Sequence, residues 1–136
     1  MSYQFTWPLR VRYSETDQMG FVYYGAYAAY YEAARVEAIR NLGITYAELE
    51  KIHGIWMPVM NMHVRFLRPA RYDDLLSIQT TIPTLPAKDI RFRYEIYNEA
   101  GQLLNGALVQ LCFLDASTQK RIYAPDFITA PLQSYF

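Results

Sequence analysis

The chain has 136 residues, 52% of them apolar and only 19% charged. That is material for one packed domain spanning residues 1–136, and it excludes a solvated, disordered chain. Lysine plus arginine and aspartate plus glutamate stand at 13 each, a balance that argues against nucleic acid or an anionic membrane as the main partner. The single cysteine, Cys112, excludes an internal disulfide, and its apolar surroundings predict a buried strand position. No apolar run approaches the ~20 residues of a membrane-spanning helix, and Met1–Trp7 lacks the pattern of a signal peptide. A soluble cytoplasmic protein is expected. Thirteen tyrosines favour a sheet with a large contact surface, as in an oligomer, because each buried hydroxyl wants a partner.

Residues 7–14 alternate, with Leu9, Val11 and Tyr13 on one side and Arg10, Arg12 and Ser14 on the other, which predicts a half-buried strand. A loop, Glu15–Gly20, follows. From about Tyr24 to Leu42 the spacing of Tyr27, Tyr30, Tyr31, Ala34, Ala38 and Leu42 is helical, and Gly43 supplies a stop. Six alanines, at 26, 28, 29, 33, 34 and 38, raise helix propensity and keep the helix thin. Glu32 and Arg35, three apart, are placed to pair on its surface. Thr45-Tyr46-Ala47-Glu48 has the form of a capping box and predicts a short second helix ending near His53.

Strands follow at 57–67, 74–82, 89–98 and 102–114. The clearest is the third, where Ile90, Phe92, Tyr94 and Ile96 alternate with Arg91, Arg93, Glu95 and Tyr97. The tail from Arg121 shows little pattern. One strand, one long helix, one short helix and four long strands pack most economically as a curved antiparallel sheet around the long helix, an α+β arrangement. Pairing of the sheet's free edges across an oligomer would protect them.

The chain has no G-x-S-x-G elbow, no G-x-G-x-x-G, no P-loop and no H-E-x-x-H. His53 and His63, with one cysteine, make a poor metal set, so no metal or cofactor is expected. The suggestive stretch is residues 13–27, where Glu15 and Asp17 sit in a loop just before a helix. Helix N-terminal amides can stabilise an oxyanion formed from an acyl carbonyl. A carboxylate beside them can activate water or attack directly. Asp17 comes too early to be the N-cap of a helix starting near Tyr24 or Gly25, which separates it from an ordinary capping aspartate.

The run YSETDQMGFVYYGAYAAYYEAAR, residues 13–35, resembles the 4-hydroxybenzoyl-CoA thioesterase family, including its YbgC-like acyl-CoA thioesterases. The matching positions are Tyr13, Thr16, Asp17, Gly20, Val22, Tyr27, Glu32 and Arg35. VRFLRPARYDDLLSI, residues 64–78, is also similar, and the likeness spans about residues 7–124. Glu15 stands where the signature has an aspartate. Tyr24 stands where YbgC-like members have histidine, although the 4-hydroxybenzoyl-CoA enzymes also have an aromatic there.

The resemblance implies a hotdog fold, five antiparallel strands wrapped around one central helix, and at least a dimer with active sites at the subunit interface. It implies Asp17 as the catalytic carboxylate and the main-chain N–H of Tyr24 as oxyanion donor. The expected activity is hydrolysis of an acyl-CoA or acyl carrier protein thioester, with Asp17 as general base or as nucleophile. A thiol of pKa ~8.5 leaves readily, so no strong general acid is needed. Gly20, Val22, Tyr23, Gly25, His63, Arg65 and Arg68 are the expected substrate-binding residues, with Met19 and Tyr24 beside the acyl group. Lys88 and Arg91 are further candidates for the CoA phosphates. The competing readings are a non-catalytic thioester-binding protein, a hotdog dehydratase, which would need a histidine that this motif lacks, and a structural interaction module.

Overall fold

The computed structural model describes residues 1–136. In chain order the elements are β1 (Tyr3–Arg10), α1 (Ala26–Arg40), α2 (Tyr46–Lys51), β2 (Ile55–Trp56), β3 (Val59–Phe66), β4 (Leu75–Ile82), β5 (Asp89–Tyr97), β6 (Leu103–Asp115), β7 (Arg121–Ile122) and α3 (Asp126–Leu132). All strand pairs are antiparallel. The path runs β1-β4-β5-β6, and β6, the longest strand, carries β3 on its other side. The far end of β6 also pairs with the two-residue strands β2 and β7. The sheet therefore has seven strands, five long ones as expected and two short additions too brief to leave a periodic signal.

This is the hotdog arrangement, with α1 lying in the sheet's concave face. Seven side chains of α1 are buried: Tyr27, Tyr30, Tyr31, Ala34, Arg35, Ala38 and Ile39. They meet the inward row of β5, where Ile90, Phe92, Tyr94 and Ile96 are each no more than 1% exposed. Two hydroxyls tie the helix to the sheet. Tyr3 donates to the carbonyl of Ala38 at 2.7 Å, and Tyr31 donates to Asn105 Oδ1. The single cysteine is buried and free, as its setting predicts. No helix is long and apolar enough to cross a membrane.

Four expectations need correction. The first strand spans residues 3–10 rather than 7–14, because Tyr3, Phe5, Trp7 and Leu9 already form the inward row. At Tyr13–Glu15 the chain turns into a 3-10 helix, closed by the Glu15 carboxylate on the Arg12 amide, and Tyr13 is exposed. The tail from Arg121, despite its weak sequence pattern, is not irregular, since it forms α3 and buries Ile128 and Leu132. Finally, Arg35 does not pair with Glu32. Its side chain turns into the core beside the hydroxyls of Tyr46 and Tyr94, while Glu32 stays exposed.

Strand β3 stands apart. It hydrogen-bonds to β6 on one side and to nothing on the other. None of its residues is buried, and Val59, Met60, Met62 and Phe66 are 45–57% exposed.

Candidate active site

Residues 15–23 form a tight loop whose main chain is almost fully committed. Thr16 and Val22 bridge across it, Asp17 N donates to Phe21 O at 2.8 Å, and Gly20 N donates to Asp17 O at 3.0 Å. Gly20 takes φ +80°, the left-handed conformation that suits glycine at such a turn. Val22 N donates to Ala70 O, and the Phe21–Arg71 bridge fixes the loop to the segment after β3. The Arg71 guanidinium lies 4.7 Å over the Phe21 ring.

Inside this loop Asp17 is held from one side only. Its Oδ1 accepts from Met19 N at 2.9 Å and Phe21 N at 3.2 Å. Its Oδ2 has no partner in the chain. At the other end of the segment, the main-chain N–H groups of Tyr24 and Gly25 also find no acceptor. Gly25 is the N-cap residue of α1 and offers no side-chain cap. Two free amides thus stand at the positive end of a 15-residue helix.

Asp17, Met19, Phe21, Val22, Tyr24 and Tyr27 line one side of a hollow of about 340 Å³. Phe66, Leu67, Arg68 and Pro69, at the end of β3, line the other. The Tyr27 ring meets Phe66 edge-on at 5.6 Å. The hollow is thus an aromatic and aliphatic cup whose polar lining is Asp17, Arg68 and Tyr24, the last of these carrying one of the free main-chain amides.

The expected substrate-binding residues divide. Asp17, Tyr24, Val22 and Arg68 share the hollow, with Met19. Gly20 shapes the loop beneath it. Gly25 makes room, since a Cβ there would lie 2.6 Å from Tyr23 Cε2. The Tyr23 ring packs on Tyr24 at 4.5 Å. His63 and Arg65 lie elsewhere, on the outer face of the sheet in a hollow of about 230 Å³ with Arg93 and Leu108. The two hollows adjoin at Leu67, which lines both. Lys88 accepts from Arg121 Nη2 through its carbonyl at 3.3 Å and lines a third hollow with it. Arg91 lies 3.9 Å from Asp89.

Sequence reasoning missed Phe21, Tyr27, Phe66, Leu67 and Pro69 as lining, and it missed what Glu15 does. The motif F-L-R-P after an apolar strand was visible, but only the fold brings it against the loop. The Glu15 carboxylate takes four hydrogen bonds: Arg12 N at 2.9 Å and Tyr30 OH at 2.9 Å on Oε1, Arg12 Nε at 3.0 Å and Nη2 at 2.7 Å on Oε2. Burial opposes its ionisation, but these donors prevail and hold the carboxyl below its ordinary value. Burial, with the adjacent Glu15 charge, pushes the Tyr30 hydroxyl upward.

Residues 11–132 match the sequence model of the thioesterase-like superfamily. The chain belongs to that superfamily. Within it, the chain is 36% identical over 126 residues to the acyl-CoA thioester hydrolase YbgC of Escherichia coli O6:H1, covering 93% of each protein. It is 27% identical to a 1,4-dihydroxy-2-naphthoyl-CoA hydrolase of Thermosynechococcus vestitus, over 91% of this chain and 85% of that protein. Among solved structures, a DHNA-CoA thioesterase from Staphylococcus aureus superposes with a TM-score of 0.84 at 32% identity, covering 88% of this chain and 80% of that one. The likeness extends from the Asp17 loop through β3 to α3, so this superfamily member is a thioester hydrolase with the hotdog fold.

Proposed function

We propose that the chain, acting as a single hotdog unit over residues 1–136, hydrolyses acyl-CoA thioesters in the hollow between the Asp17 loop and the end of β3. The relatives named above act on CoA thioesters, which supports the carrier. The aromatic walls supplied by Phe21, Tyr24, Tyr27 and Phe66 suit an apolar or aromatic acyl group.

The observation that carries the reading is that Asp17, with a half-free carboxylate, and Tyr24, with a free main-chain N–H, line the same hollow. With Oδ1 held by two amides, Asp17 keeps Oδ2 to take a proton from water or to attack the thioester carbon itself. The carbonyl oxygen, as it gains charge, accepts from the Tyr24 and Gly25 amides, a contribution of roughly 3–4 kcal/mol for one such donor. When the tetrahedral intermediate collapses, the C–S bond breaks and the thiolate leaves with the electron pair. It picks up a proton afterwards. On the water route the acyl carbon keeps the water oxygen as a carboxylic acid; on the direct route the acyl group stays on Asp17 as a mixed anhydride until a water hydrolyses it to the acid and restores the Asp17 carboxylate. Arg68, on the same rim, is placed to meet an anionic part of the carrier.

Asp17→Asn tests this. It keeps the side chain's size and its Oδ1 contacts but removes the base and the nucleophile. Thiol release from a panel of short, long and aromatic acyl-CoAs and an acyl carrier protein thioester should fall at least ~10²-fold, with an unchanged melting temperature. Full activity in Asp17→Asn would overturn the mechanism. A parent that binds these thioesters but turns none over would be a binding protein instead.

The working unit we propose is a homodimer built on β3, with a second copy's β3 laid antiparallel along the open edge. The exposed apolar side chains of that strand and its unpaired main chain support this pairing. The same strand ends in Phe66–Arg68, so the partner would abut the hollow.

A further inference from the structure

We propose that Glu15 is a positioning residue for the Asp17 site: its carboxylate, gripping the Tyr30 hydroxyl, sets the gap between the Asp17 carboxylate and the free amides at the head of α1. The inference rests on the reading that Asp17 and those amides carry the chemistry.

The two halves of the site belong to different pieces of chain, a loop and a helix, and a rate depends on their separation. A misplacement of about 1 Å can cost ~10²-fold. Something must hold the loop to the helix, and Glu15 does so twice. Its main-chain carbonyl accepts from Tyr23 N at 2.8 Å, next to the proposed oxyanion donor. Its side chain accepts from Tyr30 OH at 2.9 Å, and Tyr30 is buried on α1. This is the one side-chain hydrogen bond between α1 and residues 13–22.

The anchor is stiff. Arg12 supplies three of the four donors that fill the carboxylate's lone-pair directions, so Glu15 has no spare freedom to follow the helix if it shifts. Asp17 lies only two residues further on. Helix α1, in contrast, does not need Glu15 for its place on the sheet, because Tyr3 and Tyr31 bind it from other directions. Loss of the Glu15–Tyr30 bond should therefore loosen the site and leave the fold.

The test compares Tyr30→Phe with Tyr3→Phe, which removes a hydroxyl bond at the far end of the same helix. The measurements are kcat and KM for the best acyl-CoA of the panel, the dissociation constant of its non-hydrolysable thioether analogue, and the melting temperature. Tyr30→Phe should lose roughly tenfold in kcat, with KM and analogue binding within about twofold. Tyr3→Phe should keep its kcat. Glu15→Gln combined with Tyr30→Phe should be no slower than the slower single variant, since both act through one contact.

A wild-type kcat in Tyr30→Phe would overturn the inference, as would equal losses in Tyr30→Phe and Tyr3→Phe, or a kcat loss matched by weaker analogue binding. An active Asp17→Asn would sink this inference together with the reading beneath it. A dead Asp17→Asn with a fully active Tyr30→Phe would sink this inference alone.

Discussion

Gly20 takes φ +80° with nothing within 4 Å of the place a Cβ would occupy, so only the backbone forbids a side chain there. Gly25 is the opposite case: its backbone is helical at φ −68°, and a Cβ would strike the Tyr23 ring. Forcing an L-residue into the left-handed region costs about 1–2 kcal/mol. Tyr23 is 47% exposed and can swing aside. Urea denaturation of Gly20→Ala should therefore show a loss of about 1 kcal/mol, and Gly25→Ala a change within about 0.5 kcal/mol. Equal losses in the two variants would mean that the loop relaxes around position 20. The role proposed for Asp17 could be raised from the sequence at this scale, because Asp17 comes too early to cap the helix that follows. The role of Glu15 was not, because its partner Tyr30 lies fifteen residues away and reads in the sequence as one more core aromatic.

Helix α2 shows what local chemistry alone can specify. Thr45 takes an extended backbone and its hydroxyl accepts from Glu48 N at 3.1 Å, as the Thr-x-x-Glu spacing predicts. Thr45→Ala should cost about 1 kcal/mol of stability by chemical denaturation and leave kcat unchanged, since α2 does not touch the Asp17 hollow. A kcat loss would show that α2 and the site are coupled. Long strands such as β5 were equally legible, from simple alternation. Arg35 was not. By spacing it belongs with Glu32, but α1 buries it, and the neighbouring Tyr94 and Tyr46 more than offset the burial that works against its charge. Its Nε, both tyrosine hydroxyls, Thr80 Oγ1 and Asn105 Nδ2 all lack partners. Only the tertiary fold gathers these groups, so no pattern along the chain could reveal them. The same holds for α3, seven residues with Pro131 inside, whose burial comes from packing and not from propensity.

At the level of the whole molecule the two sheet edges differ in a way that bears on assembly. On β1 the free edge carries Pro8, which has no N–H to offer, and an outer row of Gln4, Thr6 and Arg10. Such an edge resists pairing. On β3 there is no proline or glycine, and Met62 stands 45% exposed in the inward row opposite Val109. A partner strand would cover that row and complete its hydrogen bonds. Lysine at position 62 would bring two like charges together near the proposed two-fold axis and bury both, which opposes edge-to-edge pairing while a free edge strand accepts it. In analytical ultracentrifugation the parent should sediment as at least two chains and Met62→Lys as one. The variant should also lose thioesterase activity, because the wall formed by Phe66, Leu67 and Arg68 would no longer be backed by a second subunit. Melting should rise with concentration in the parent and not in the variant, as linked association requires. A parent that sediments as one chain while fully active would remove the dimer from the account and confine the site to a single subunit.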